Sequence, residues 1–509
     1  MKHAEQLTHY LPTYSADGLT DESFGKLRLT YAPSNDGFSA TLLDTFDHAL
    51  RRSGRLLVAG EGMLELMDRD GSPVRQAARQ TGGFVADFDD GAVKEAIADV
   101  PALRALLAIG DVDLCAISAA LVDDEEKTHV RVQLMQVSTS DGFMGLLVTL
   151  RALRGYEKSR SAALDRLAAL GGKPLKAADL YTRLFPKRLA YNTKPKIRIG
   201  NDEEAFDVAT DIIAAHLPVA RANEAGIIED IDTEFLHDYR IALRKTRSVL
   251  SLFKGVYDDE TTRSLKDRFS TLMAPTGRLR DLDVYLLEKQ KFYDLLPQSL
   301  HGGLDQMFAL FAAERQDVQQ TMAGLLSSKA YRREITDLQK LFRKPKRLGR
   351  GPKADLHAHS YASKLIWKRY RKICKIAKGI GPETDDREVH ELRIHCKKLR
   401  YLMEFFAPIF PKAEFKSLIR PLKRLQDNLG SFNDYSVQKE TLAAFVEGLN
   451  VKQKKQQMEI AQTVGALIAI LHRRQLEERA KVVDNFARFN SKETQKTFRH
   501  LFNGGESKS

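Results

Sequence analysis

One stretch of this chain occurs twice. His237 to Phe253 reads HDYRIALRKTRSVLSLF and His390 to Phe406 reads HELRIHCKKLRYLMEFF. Both follow the order His, two residues, Arg, three residues, a basic pair, one residue, Arg, and then an apolar tail. The copies lie 153 residues apart, and the same offset sets Gly277, Asp281 and Val284 opposite Gly430, Asp434 and Val437. A supersecondary unit has been duplicated, so the fold of one copy constrains the fold of the other.

The spacing within each copy predicts an amphipathic helix with a cationic face. At about 100° per residue, His237, Arg240, Arg244 and Arg247 fall within an arc of roughly 80°, while Tyr239, Ala242, Leu243, Leu250 and Phe253 gather on another side. His390, Arg393, Lys397 and Arg400 repeat the pattern, and the basic pairs bring in Lys245 and Lys398. Between the His and the last Arg of each copy, no carboxylate shares the arc. Such a stripe repels itself unless an anion fills it.

Charge is divided unevenly along the 509 residues. Residues 1 to 170 hold 18 Lys and Arg against 25 Asp and Glu, so the formal net charge of +12 is the sum of −7 there and +19 in the remainder. The anion-binding part is therefore the C-terminal one. No run of about 18 apolar residues predicts a membrane span, and the opening MKHAEQLTHY lacks the apolar core of a signal peptide, which leads to the expectation of a cytoplasmic protein. Cys115, Cys374 and Cys396 form no Cys-x-x-Cys pair and read as reduced packing residues.

Residues 1 to 170 read as α+β, with strands expected at KLRLTY, FSATLLD, LLVAGEGMLELMD, LCAISAALV and THVRVQLMQV and helices at VKEAIADVPALRALLAI and SAALDRLAAL. Residues 171 to 200 are rich in Pro, Gly and cations and are expected to be a basic linker. A second basic break at 343 to 356 divides two helical stretches, 201 to 342 and 357 to 503. Each is expected to be a bundle of roughly four helices, the two related by a pseudo-two-fold axis where the cationic faces converge. A further basic file, Lys364, Lys368, Arg371 and Lys375, shares one helical face, and Asp211 stands opposite Lys364 in the first copy. A solvated face is the ordinary meaning of such a file. Lys423, Arg278 and Arg280 are second-rank candidates, with Asp281 or Asp283 expected to hold Arg280 in a structural pair.

The paired helices and the trailing RDLDV and NDYSV segments resemble the conserved-histidine α-helical (CHAD) domain over roughly residues 200 to 500. That resemblance implies inorganic polyphosphate as partner, held by His237, Arg240, Arg244, Lys245, Arg247, His390, Arg393, Lys397, Lys398 and Arg400, with Lys364, Lys368, Arg371, Lys423, Arg278 and Arg280 in lesser roles. It also implies gathering on polyphosphate granules. In the N-terminal part, LLDTFDHALRRSGRLL, PALRALL, DDEEKTHVRVQL and RGYEKSRSAALDRLAAL resemble a CYTH domain, the triphosphate-tunnel fold, an antiparallel β-barrel. Active members carry Glu-x-Glu-x-Lys on the first strand, where alternation sends both carboxylates and the lysine inward. Residues 1 to 170 hold no such triplet. Lys26 and Arg28 alternate without a carboxylate, and Glu61 and Glu65 are four apart, so this domain reads as a degenerate relative.

No catalytic residue, metal or cofactor is assigned. His357 with His359, and His390 with His395, lack carboxylates at ligand spacing, and the second pair points about 140° apart on a helix. Neither Gly-x-Ser-x-Gly nor a Walker loop occurs. Two other functions stay open from the residues: a metal-dependent triphosphate or polyphosphate hydrolase seated in the N-terminal domain, and a nucleic-acid binder, since phosphate backbones answer to the same cations.

Overall fold

The computed structural model describes residues 8–12, 14–31, 37–67, 73–79, 82–175, 177–185, 191–381, 384–449 and 454–503. They form two compact units, Met1–Asn192 and Thr193–Ser509.

The first unit is a curled, half-barrel antiparallel sheet of ten strands: β1 (Thr8–Pro12), β2 (Arg28–Tyr31), β3 (Gly37–Thr45), β4 (Leu56–Gly60), β5 (Met63–Met67), β6 (Pro73–Ala77), β7 (Leu106–Val122), β8 (Thr128–Ser138), β9 (Met144–Ala152) and β10 (Lys173–Pro174). Their order is β10-β1-β9-β8-β7-β3-β4-β5-β6, with β2 also on β7, so among the described residues the edges β10 and β6 do not pair and the expected barrel stays open. Alternation places Val130, Val132 and Leu134 in the core and Arg131 and Gln133 in solvent, as the period of two in THVRVQL demands. Glu61 and Gly62 turn the β4–β5 hairpin with φ of 51° and 74°, which takes Glu61 off the strand, and Glu65 pairs with Arg75 at 2.8 Å.

Two expectations fail here for physical reasons. The helix predicted through VKEAIADVPALRALLAI stops after Ala92–Ala96, and Leu106 already begins β7. Pro101 cannot continue a helical hydrogen-bond ladder, and Leu106 and Leu107 pair instead with Thr45 and Asp44 of β3. Part of the expected linker also folds: α2 (Ala177–Leu184), which follows α1 (Glu157–Ala169), buries Leu180, Tyr181 and Leu184 against Tyr10, Val112 and Leu147 of the sheet. Residues 186–190 of that stretch lie outside the described residues.

The second unit is helical, and the duplication runs through all of it. In the first copy the main helices are α3 (Ala205–Ala222), α4 (Thr233–Leu252), α5 (Asp259–Met273), α6 (Thr276–Leu287), α7 (His301–Ser327) and α8 (Lys329–Arg343). The second copy has α9 (Ala358–Ala377), α10 (Asp386–Phe406), α11 (Lys412–Glu447), α12 (Lys454–Ala480) and α13 (Lys492–Phe502). Adding 153 to the first residue of α3, α4, α5 and α7 gives the first residue of α9, α10, α11 and α12. Even the caps correspond: Asp232 accepts from Glu234 N, and Asp385 from Arg387 N at 2.7 Å, each satisfying a free amide of a first helical turn. Where α5 and α6 break at Ala274 and Pro275, the second copy runs unbroken through Gly430 as α11.

The copies interlock. Phe253 and Phe406, equivalent residues at the ends of α4 and α10, stack with centroids 4.9 Å apart and planes 10° from parallel. Equivalent residues can touch only beside the axis that relates them. One core takes Met307, Phe308 and Phe311 from the first copy and Ile460, Val464, Leu467 and Leu471 from the second. The stretch expected as a linker between the copies is pinned as well, with Gly351 N donating to Val256 O at 2.8 Å and Ala205 N to Leu356 O at 2.9 Å. Truncating Phe253 or Phe406 to Ala is expected to cost about 3 kcal/mol each, and the double variant less than the sum. Chemical denaturation followed by helical circular dichroism measures both, and strict additivity would mean that the rings do not meet.

Candidate functional site

The cationic face of α4 opens on a groove of about 730 Å³ that both copies line; no α10 side chain is on its wall, and Lys397 and Arg393 of α10 meet it through the wall residues Arg244 and Asp434. The first copy contributes His237, Arg240 and Arg244 from α4, Arg280, Asp281 and Tyr285 from α6, and Glu288 and Lys291 just beyond it. The second contributes Asn433, Asp434 and Gln438 from α11 and Leu471 and Arg474 from α12. Periodicity explains the inward set. Tyr239, Leu243 and Leu250 are buried in the core, so the residues between them turn toward the groove.

Crowded like charge sets the electrostatics. The Lys397 ammonium is pushed down to about 8, by burial first and then by Arg244, Arg393 and Arg400, with Asp434 opposing. Arg244 comes from the first copy and the other two from the second, so the stripes converge. Burial, Arg244 and Arg280 likewise lower Arg240, which donates through Nη1 to Thr276 Oγ1. Burial also lowers Lys245, with Glu404 opposing and Lys194 and Arg400 adding to the fall. His390 Nδ1 donates to Asn433 Oδ1 at 2.8 Å, which fixes its ring and aims the other nitrogen away from Asn433.

Glu404 of α10 itself faces Arg400 and Lys245, and two further carboxylates come from helices neighbouring the stripes. Asp281 lies against Arg240, Arg278 and Arg280, and Asp434 against Arg393 and Lys397. The groove walls strip water from each carboxyl and raise its pKa, while the cations pull it down. Asp281 and Asp434 are themselves equivalent, so each copy supplies its own internal counter-ion. In the sequence Asp434 stands out only as a marker of the repeat, and Asp281 as a marker and as an expected partner of Arg280. Lys291 and Arg474 carry no periodic signal and were missed. The unbalanced stripe was the available clue to the aspartates.

The remaining candidates scatter. Arg247 is exposed on α4. Arg400 lies 3.2 Å from Glu404 and over the Tyr401 ring. Lys398 turns away toward Arg369 and Lys254. Arg278 is taken by a bidentate pair with Glu314 and does not line the groove. Arg280 does line it: Asp283 is held by Arg315 at 3.0 Å, and Arg280 Nη1 is shielded from solvent with no hydrogen-bond acceptor. Of the two expected partners, Asp283 is taken by Arg315, and Asp281 lies against Arg280 together with Arg240 and Arg278. Lys423 is exposed on α11, and Lys364, Lys368 and Arg371 on α9, none of them on the groove wall. His395 takes a hydrogen bond at Nδ1 from Arg369 (2.8 Å) and is pushed down to about 4 by burial and then by Arg369, so it stays neutral. His357 reaches the Asp202 carbonyl, and the His359 ring lies tilted against Phe410, centroids 4.9 Å apart. Among the described residues, no three His, Cys, Asp or Glu side chains converge to hold a metal ion.

In the N-terminal unit a concave shelf of about 770 Å³ on the sheet is lined by Thr30, Ser118, Gln133, Thr149, Arg131 and Arg151, and no carboxylate lines it. Arg131 and Arg151 are direct cross-strand neighbours.

A duplicated helical unit whose copies share one cationic groove is the class defined by this geometry. Residues 211–443 match the family model of the CHAD domain, and this part of the chain is a CHAD domain. The N-terminal half-barrel is consistent with a CYTH-like domain. Among solved structures, the crystal structure of the CHAD domain from the plant Ricinus communis is 23% identical, covering 59% of this chain and 98% of its own with a TM-score of 0.48. PptA from Streptomyces chartreusis is 13% identical, covering 58% of this chain and 100% of its own with a TM-score of 0.41. No curated protein matches the chain. No helix among the described residues is long and apolar enough to cross a membrane.

The strain of like charge has a measurable sign. Lys397 binds its proton less tightly in the folded protein than in the unfolded chain. The stability of the empty protein should therefore rise with pH between about 8 and the ordinary lysine range. Lys397→Met keeps the aliphatic stem and removes the charge, and is expected to raise stability at pH 7 by about 1 kcal/mol. Thermal melts from pH 7 to 10 check both statements, and a lowered melting temperature for the variant contradicts them.

Proposed function

We propose that this protein binds inorganic polyphosphate in the groove shared by the two copies, and that this binding docks it on polyphosphate granules in the cytoplasm. The observation that carries the reading is the convergence of Arg244 with Lys397, Arg393 and Arg400, which lowers the proton affinity of Lys397. A site that keeps like charges together at a cost to its own protonation is built for a ligand that supplies many negative charges at once. Arginine forks bridge neighbouring phosphoryl oxygens, and lysine acts as a mobile point charge. A linear phosphate chain presents such oxygens at every unit. Asp281 and Asp434 hold the cations in place while the groove is empty and are left to solvent, or protonated, as the chain displaces them.

Against a nucleic-acid partner, the groove cations come with few rings for base stacking: Tyr285 and Phe292 on its wall are buried in the core, and Tyr435 is half-buried. Against a hydrolase in the N-terminal unit, the shelf is lined by arginines, hydroxyls and amides, and in a second hollow of the sheet, lined by Glu61 and Glu65, Arg75 holds Glu65 at 2.8 Å.

Binding of the full-length protein to long-chain polyphosphate should weaken steeply with salt. Arg244→Ala with Lys397→Ala should weaken it at least tenfold, while excess duplex DNA should leave it largely intact. Equal displacement by DNA would reduce the groove to a general basic surface. Proton linkage gives a second check. A bound polyanion restores the proton of Lys397, so binding at pH 8 takes up protons and weakens as pH rises past about 8. Calorimetry in two buffers of different ionisation enthalpy measures the uptake, and release in place of uptake would contradict the site.

A further inference from the structure

Helix α9 carries Lys364, Lys368, Arg369, Arg371, Lys372 and Lys375, and no Asp or Glu. Two of these are accounted for: Lys372 pairs with Glu391 at 3.2 Å, and Arg369 donates to His395. The other four are exposed. They form a file within an arc of roughly 60°, opposite the buried Ile366 and Ile373, and at about 1.5 Å per residue the file is roughly 16 Å long. None of the four is ion-paired among the described residues, and none lines the groove. Like charges three and four residues apart destabilise a helix, so the file is maintained against a local cost.

The duplication supplies an internal control. Equivalent positions on α3 are Asp211, Ala215, Pro218 and Ala222, with no cation among them. Helices that start at equivalent residues thus fold with and without the file, and its origin is not the packing of the unit. Next to α9, α13 stacks Phe498 on Tyr370 at 4.0 Å and exposes Lys492, Lys496 and Arg499 along with one carboxylate, Glu493, so the surroundings extend the positive field.

We infer that the outer face of α9 is a second polyphosphate lane, separate from the groove, so that one molecule holds two stretches of polymer. The inference rests on the polyphosphate reading of the groove and extends it. A single straight file of cations matches one extended anionic chain. A duplex, whose phosphates lie on two strands either side of a groove, asks for cations spread across a wider face. Two lanes on one chain raise the affinity for polymer long enough to reach both, through effective concentration alone, and let the protein cross-link separate chains.

Trp367 makes the lane testable. It is the only tryptophan in the chain, and it lies on α9 beside Lys364, Lys368 and Arg371 with its ring 5.7 Å from Tyr370. Its fluorescence therefore reports on this face. The full-length protein is titrated with long-chain polyphosphate, with fluorescence read beside the anisotropy of end-labelled polymer, for three forms: the natural chain, the groove variant Arg244→Ala with Lys397→Ala, and the lane variant Lys364→Gln, Lys368→Gln, Arg371→Gln and Lys375→Gln. The groove variant should keep the Trp367 response at higher polymer concentration. The lane variant should lose that response, keep binding with proton uptake at pH 8, and bind long polymer at least tenfold more weakly while its affinity for short oligophosphate is unchanged. A groove variant without a Trp367 response, or a lane variant that binds and responds like the natural chain, overturns the second lane but leaves the groove standing. No polymer binding by the natural chain overturns both. A Trp367 response to duplex DNA but not to polyphosphate reassigns the face to nucleic acid and overturns the inference. Unchanged melting curves establish that the glutamines, all on exposed positions, have not unfolded the unit.

Discussion

Two copies of a cationic helix repel one another, and apolar contact holds them side by side. The stacked rings of Phe253 and Phe406 fasten the ends of α4 and α10, and the core built from α7 and α12 clamps the far side of the groove. Burial of this kind is insensitive to charge. It can therefore bring Arg244, Arg393, Lys397 and Arg400 closer than their charges favour. The cationic cluster exists because a hydrophobic constraint overrides an electrostatic one, and the lowered proton affinity of Lys397 is the visible trace of that contest.

Much of this could be read in the sequence, because duplication writes the same physics twice. The helical period set the cationic faces of His237 to Arg247 and His390 to Arg400, and the offset of 153 residues predicted that they would meet. What could not be read depends on neighbours distant in sequence. Arg278 and Arg280 are two residues apart in one segment, yet Glu314 of α7 removes the first from the groove while Arg315 frees the second by occupying Asp283. No local pattern distinguishes them. Asp281 and Asp434 were visible as repeat markers, but their facing of the stripes is a matter of tertiary packing between α4 and α6 and between α10 and α11.

The N-terminal unit shows the opposite balance. Its strands followed from alternation, as in THVRVQL, but Leu106 to Ile109 belonged to β7 and not to the expected helix. Leucine and alanine are as acceptable in a buried strand as in a helix, and pairing with β3 decided the matter. Likewise α2 was hidden in a basic, proline-containing stretch because only Leu180, Tyr181 and Leu184 carry its apolar face. The missing Glu-x-Glu-x-Lys, by contrast, is a statement about composition, and it corresponds to a shelf lined by Arg131 and Arg151 without a carboxylate.

Near two-fold symmetry has one more consequence for the groove. A linear phosphate polymer reads the same from either end, and so does a site related to itself by a two-fold axis. For a chain bound as proposed, reversing the direction of threading exchanges Arg244 with Lys397 and Asp281 with Asp434, while Arg280 and its equivalent Asn433 keep the two directions from being identical. With identical units along such a polymer, a shift by one unit recreates the same contacts, so a protein attached as proposed slides along it without a preferred register.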